Sequence, residues 1–165
     1  MLTQENPLPL PSPFVPLTQG PVQLWETDEE AEQYAIDPKA YIFKRTDKFT
    51  KNLTLATNHI LIATYCLPEF TDLRGPEGKP VRFWVPDGVK EEARWQGRVG
   101  LLLAKGPLAW RNDERTDFGG TNFEVGEWVC FDRQDGRQTV INRVHCRRLK
   151  DVDIWGATTE PYNLF

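Results

Sequence analysis

The stretch Val81–Pro107, VRFWVPDGVKEEARWQGRVGLLLAKGP, decides how the chain is read. A short apolar run (81–85) meets a Pro86-Asp87 turn. A charged patch and Gln96-Gly97 follow, then a longer apolar run, RVGLLLA (98–104), closed by Gly106-Pro107. Two strands joined by a polar, chain-reversing linker is the simplest physical account. The alternative leaves VRFWV as the apolar part of one long excursion.

Around this stretch the chain reads as strands. In HILIATYCL (59–67), Ile60, Ile62 and Thr64 point one way and Leu61, Ala63 and Tyr65 the other. Apolar residues on both faces imply cover on both sides. LPEFTDLRGPEGKP (67–80) holds three Pro and two Gly and reads as a loop. KGPLAWRNDERTDFGGTNFEVG (105–126) reads as a long polar excursion. EWVCF (127–131) and RQTVI (137–141) flank Asp135-Gly136, a hairpin signal. RVHCRRL (143–149) makes a further strand and DVDIWG (151–156) closes. Short strands at close spacing, with Gly and Pro turns, mean a small barrel or sandwich.

Upstream, Thr27-Asp28-Glu29-Glu30 has the form of a capping box and predicts a helix from about Asp28 to Ile36, stopped by Asp37-Pro38. AYIFKR (40–45) reads as a short strand and TDKFTKN (46–52) as a connector. Six of the first 21 residues are Pro. Proline fixes φ and lacks a donor, so this arm is neither helix nor central strand and reads as polyproline II. It is either a disordered tail or a docking arm. Leu8, Leu10, Phe14, Val15 and Leu17 make it more apolar than ordinary disorder and favour docking. The expected division is an N-terminal extension, 1–52, and a β domain, 53–165.

Composition excludes several classes. At 165 residues, with 39 % apolar and 12 % aromatic residues, there is chain enough for a core. A net charge of −4 gives no basic footprint for nucleic acid. No apolar run approaches the ~20 residues of a membrane span, and MLTQENPLPLP lacks the features of a secretory signal. Three widely spaced Cys argue against a disulfide framework. Together these predict a cytoplasmic setting. Cys66, Cys130 and Cys146 are expected to pack as small apolar residues. With two His and no C-x-x-C, H-E-x-x-H or G-x-S-x-G pattern, no catalytic residue, metal site or cofactor is expected. Asp113, Glu114 and Asp117 read as a solvated turn rather than a cation site, and Arg147-Arg148-Leu149-Lys150 as a solvated edge or subunit contact.

The order of parts resembles the GroES-type co-chaperonins. NHILIATY sits where that family's opening strand lies. VRFWVPDGVKEEARWQGRVGLLLAKGP follows its docking loop, Pro-Asp turn, Lys/Glu-rich linker and Val-rich strand. FEVGEWVCF is similar to its Val-Gly-Asp strand, with Glu127 for Asp, and KDVDIWG to its closing element. The resemblance covers roughly residues 55–158. It implies a mostly β chain: a small irregular GroES-like β-barrel, here with a Pro-rich arm and one short helix. It implies a non-enzymatic homo-oligomer that caps a chaperonin ring through an apolar loop, Val81, Arg82, Phe83, Trp84 and Val85. Ile154 and Trp155 would contact a neighbouring subunit. Lys79-Pro80 replaces the family's Gly-Gly, Arg82 interrupts the apolar run, and about 50 residues precede the first barrel strand. These departures support an alternative, a phage virion protein (capsid decoration or head–tail component) that reuses the barrel and docks on capsid or tail proteins by its arm.

Overall fold

The computed structural model describes residues 24–68, 70–74, 78, 80–82 and 97–164, the last without interruption; for 70–74 and 80–82 it describes the backbone alone. Two helices, α1 (Asp28–Ile36) and α2 (Pro38–Thr50), precede eight strands. Six of these form one antiparallel sheet: β1 (His59–Thr64), β4 (Val99–Lys105), β5 (Trp128–Phe131), β6 (Arg137–Ile141), β7 (Val144–Lys150) and β8 (Ile154–Thr158). Their order is β6-β7-β1-β4-β5-β8. The remaining two, β2 (Phe70–Arg74) and β3 (Pro80–Arg82), pair as a separate ribbon. The expected fold is a small irregular β-barrel, and its mostly β character holds. The sheet is instead open, with β6 and β8 as its edges.

The helices start where the sequence signals them. The Thr27 hydroxyl accepts from Glu30 N and caps α1. Asp37-Pro38 ends α1 but also begins α2: the Asp37 carboxylate accepts from Ala40 N, and Pro38 occupies the first turn, where its missing N–H costs nothing. AYIFKR is therefore helix rather than strand. Its β-branched and aromatic residues suggested β structure, but Tyr41, Ile42 and Thr46 fall on one buried helical face, and packing overrides propensity. α1 and α2 lie on one face of the sheet and share a core with it.

Both faces of the sheet are covered, so LLL in β4 is buried throughout. Leu61, Ala63, Leu101 and Leu103 face the helices, together with Tyr34 and Ile42. Ile60, Ile62, Leu102 and Phe131 face the opposite way, where Trp110, Phe118 and Phe123 of the 106–127 excursion cover them. Each such apolar side chain contributes roughly 1.5–3 kcal/mol when fully buried. An exposed ion pair such as Lys51–Asp47 gives about 0–1 kcal/mol. Burial on both faces, not surface charge, therefore holds the sheet. Tyr34 fixes α1 to the end of β1: its hydroxyl donates to Cys66 O (2.8 Å) and accepts from Cys66 N (3.0 Å). Burial raises its pKa well above the usual phenol value.

Two further expectations are corrected. Residues 67–80 are not wholly loop, since Phe70–Arg74 pairs with Pro80–Arg82; the prolines there hid a short ribbon. Asp135-Gly136 is not a hairpin turn. β5 and β6 lie far apart in the sheet, and 132–136 crosses between them. Gly136 is needed because its φ is +75° and a Cβ would lie 2.5 Å from Arg148 O. The real hairpin joins β6 to β7 through Asn142-Arg143, with φ 45° and 71°, the positive pair that a two-residue hairpin turn favours.

Gly106 closes β4 against the start of β1, donating its N–H to His59 O at 2.7 Å. A Cβ there would meet Thr57 O at 2.2 Å. Gly106→Ala should lower unfolding free energy by about 1–3 kcal/mol, measured by urea denaturation; an unchanged midpoint would refute this close approach.

Candidate functional site

The sheet order decides what can protrude. β1 and β4 are direct neighbours, paired from Ile60↔Lys105 to Thr64↔Gly100. The connection from β1 to β4 therefore leaves the sheet beyond Tyr65, whose N–H still donates to Val99 O at 2.9 Å, and rejoins it at Arg98, whose carbonyl accepts from Phe131 N at 2.9 Å. The β2–β3 ribbon lies in this excursion, with Phe70 opposite Arg82, and β2 runs close to α1. Val81 and Arg82 belong to β3. Phe83, Trp84 and Val85, the rest of the expected partner-binding segment, lie outside the described residues. So do the arm residues Leu8, Leu10, Phe14, Val15 and Leu17.

The two expected subunit-contact residues sit at the β8 edge and differ. β5 and β8 pair as Cys130↔Gly156 and Phe131↔Ile154. Trp155 is the extra residue between those pairs, a β-bulge that re-aims a side chain. Ile154 turns into the core beside Phe131. Trp155 is 60 % exposed, and Val152 beside it 53 %. An exposed Trp on an edge strand is an apolar surface suited to contact.

Asp151, which sequence reasoning passed over, positions both this edge and the long excursion. It is buried (2 % exposed) in a one-turn 3-10 helix, Asp151–Asp153, between β7 and β8. Oδ1 accepts from Asn58 Nδ2 and from Val152 N, both at 2.8 Å, and Oδ2 from Trp110 N at 2.9 Å. Its own N–H donates to Asn58 O at 3.1 Å. Trp110 is held at φ +55°, a left-handed backbone uncommon outside Gly. No motif marks Asp151; an acid between Lys150 and Val152 looks solvated.

The 106–127 excursion is tied down rather than loose. Asp113 Oδ1 accepts from Arg115 N and Thr116 N, both 2.7 Å, which holds its carboxyl below the usual range. Asp117 Oδ1 accepts from Asn112 Nδ2 and Gly119 N. Lys105 Nζ donates to Phe123 O and Glu124 Oε2, and lowers the Glu124 pKa. These carboxylates fold the loop. Among the described residues no three His, Cys, Asp or Glu side chains gather as a metal site.

The thiols are buried and unpaired with one another. Burial pushes Cys146 up to about 12 and raises Cys130 as well, so neither is a ready nucleophile at neutral pH. Of the stretch expected as a solvated edge or subunit contact, Arg148 and Lys150 are exposed, but Arg147 is not. It is buried, donates to Arg133 O and Asp135 O, and lies over the Phe131 ring, holding the 132–136 crossover. Among the described residues no helix is long and apolar enough to cross a membrane. No known family model matches this chain, and no curated protein matches it.

Replacing Asp151 with Asn keeps the shape but turns one acceptor into a donor facing a donor. Asp151→Asn should cost roughly 2–3 kcal/mol and speed hydrogen exchange at the Trp110 amide ahead of the β4 amides. Uniform exchange with unchanged stability would contradict the assigned role.

Proposed function

We propose that the chain is a GroES-like, non-enzymatic assembly protein that binds a chaperonin ring through the segment 81–85 and associates with copies of itself. The observation that carries the reading is the placement of 65–98 between two adjacent strands, β1 and β4. The resemblance puts its docking segment at this point of the chain, between an opening strand and a Val-rich strand ended by Gly106-Pro107. An apolar segment on such an excursion suits reversible docking, because ordering it costs entropy that offsets part of the contact energy. The edge Trp155 supports self-association, since aromatic side chains dominate contact energetics. Buried thiols and loop-bound carboxylates speak for contact rather than catalysis.

A second reading is favoured by one observation. α1 and α2 are built into the core of the sheet, an elaboration that a cap does not need. In this reading the fold serves a phage virion as a capsid decoration or head–tail component, meeting capsid or tail proteins through its arm. Fold alone does not choose between the two.

Purified protein should be captured by a bacterial chaperonin ring in the presence of ATP and not in its absence, and Phe83→Asp should abolish capture. A folded, oligomeric protein that the ring never captures would overturn the chaperonin reading and leave the virion reading standing.

A further inference from the structure

Between the end of α2 and the edge strand β6 runs a groove of about 580 Å³. Phe49, Leu53, Leu55 and Ile141 supply apolar lining, and Arg137 and Arg148 supply charged lining. Phe49 is 47 % exposed, a large apolar surface to leave facing solvent. We propose that this groove is the seat of the chain's own Pro-rich arm, residues 1–23, an inference that goes beyond the function proposed above and does not depend on it.

Four observations lead there. First, the arm begins on the same α2–β6 side as the groove, at the opposite end of α2 from Phe49. Leu24 is buried against α2, and its carbonyl accepts from the Tyr41 hydroxyl. Glu26 pairs with Arg143 in the β6–β7 turn, and Asn142 of that turn donates to Arg45 O. The chain thus enters the fold at the corner where α2 meets β6. Second, the lengths agree. Tyr41 to Phe49 spans about 12 Å of helix, and β6 is roughly 17 Å long. Leu17 can lie anywhere within about 24 Å of Leu24, and Leu8 to Leu17 covers about 28 Å as polyproline II. Third, the chemistry agrees. The arm alternates Pro with Leu, Phe and Val, the pattern that apolar and aromatic grooves take up in polyproline recognition. It retains every carbonyl, and β6, as a sheet edge, turns backbone donors outward. Fourth, charge agrees. Residues 1–23 carry Glu5 and no Lys or Arg, opposite Arg137 and Arg148.

The same-chain arm is the occupant because the tether is short. A segment joined to its site by a short tether acts at an effective concentration on the order of millimolar, so even a weak apolar contact forms within the chain before a second copy competes.

The test places a photoreactive phenylalanine analogue at Phe14 of the full-length protein. Isotopically light and heavy protein are mixed before irradiation, and the adducts are mapped by mass spectrometry. The expected result is adducts between residue 14 and peptides covering 49–61 or 137–148, joining like isotopes only. They should be lost in Phe49→Asp, and independently in Thr139→Arg, which crowds the groove from an exposed edge position. They should persist in Ile36→Asp, a charge placed on an exposed site outside the groove. Mixed-isotope adducts would overturn the proposal by putting the arm on a neighbouring copy. Adducts elsewhere on the chain, adducts indifferent to Phe49→Asp and Thr139→Arg, or no adducts would overturn it as well.

Discussion

The cover on the second face of the sheet is tied down by one buried carboxylate. Asp151 joins Asn58, just before β1, to Trp110 in the long excursion and to the turn that launches β8. These segments lie 93 and 41 residues away from it in sequence. Burying a carboxylate costs several kcal/mol, and hydrogen bonds to a charged acceptor return about 1.5–3 kcal/mol each. One donor would leave the group a liability, whereas three make it a clasp. The clasp only works when all three segments are in place, which makes it a source of specificity as well as stability. With Trp110 fixed, the excursion lays its aromatic side chains across the second face of the sheet.

Cover on the second face has consequences at the edges. A sheet buried on both sides has only its two outer strands and its ends left for contact. At one edge, β8 carries the bulged Trp155. At the other, β6 borders an apolar groove beside α2. At one end, the chain between β1 and β4 leaves as the 65–98 excursion.

Much of this was legible in the sequence, for physical reasons that differ by element. The two-faced alternation of 59–65 marks β1 and the cover over both its faces, because side-chain period is fixed by the backbone. Thr27 and its acids gave α1, because capping is local. α2 was misread, since Tyr41, Ile42 and Phe43 favour strands on their own and become helical only where a core awaits one helical face. Asp135-Gly136 suggested a hairpin, but the glycine answers a long-range demand, the approach of Arg148 O. Strand order, the Asp151 clasp and the bulge at Trp155 arise from contacts dozens of residues apart, which composition and periodicity do not encode. Of the site residues inferred from sequence, Trp155 is brought to the surface and Ile154 is drawn into the core, a split that the bulge creates.

In the proposed reading, the sheet edges and the connection between β1 and β4 serve assembly, with other copies of this chain among the partners. Native mass spectrometry of the full-length protein should then show a discrete homo-oligomer that falls apart into folded monomers when the exposed Trp155 is replaced by Asp. A wild-type protein that remains monomeric at micromolar concentration, with Trp155→Asp indistinguishable from it, would contradict the claim.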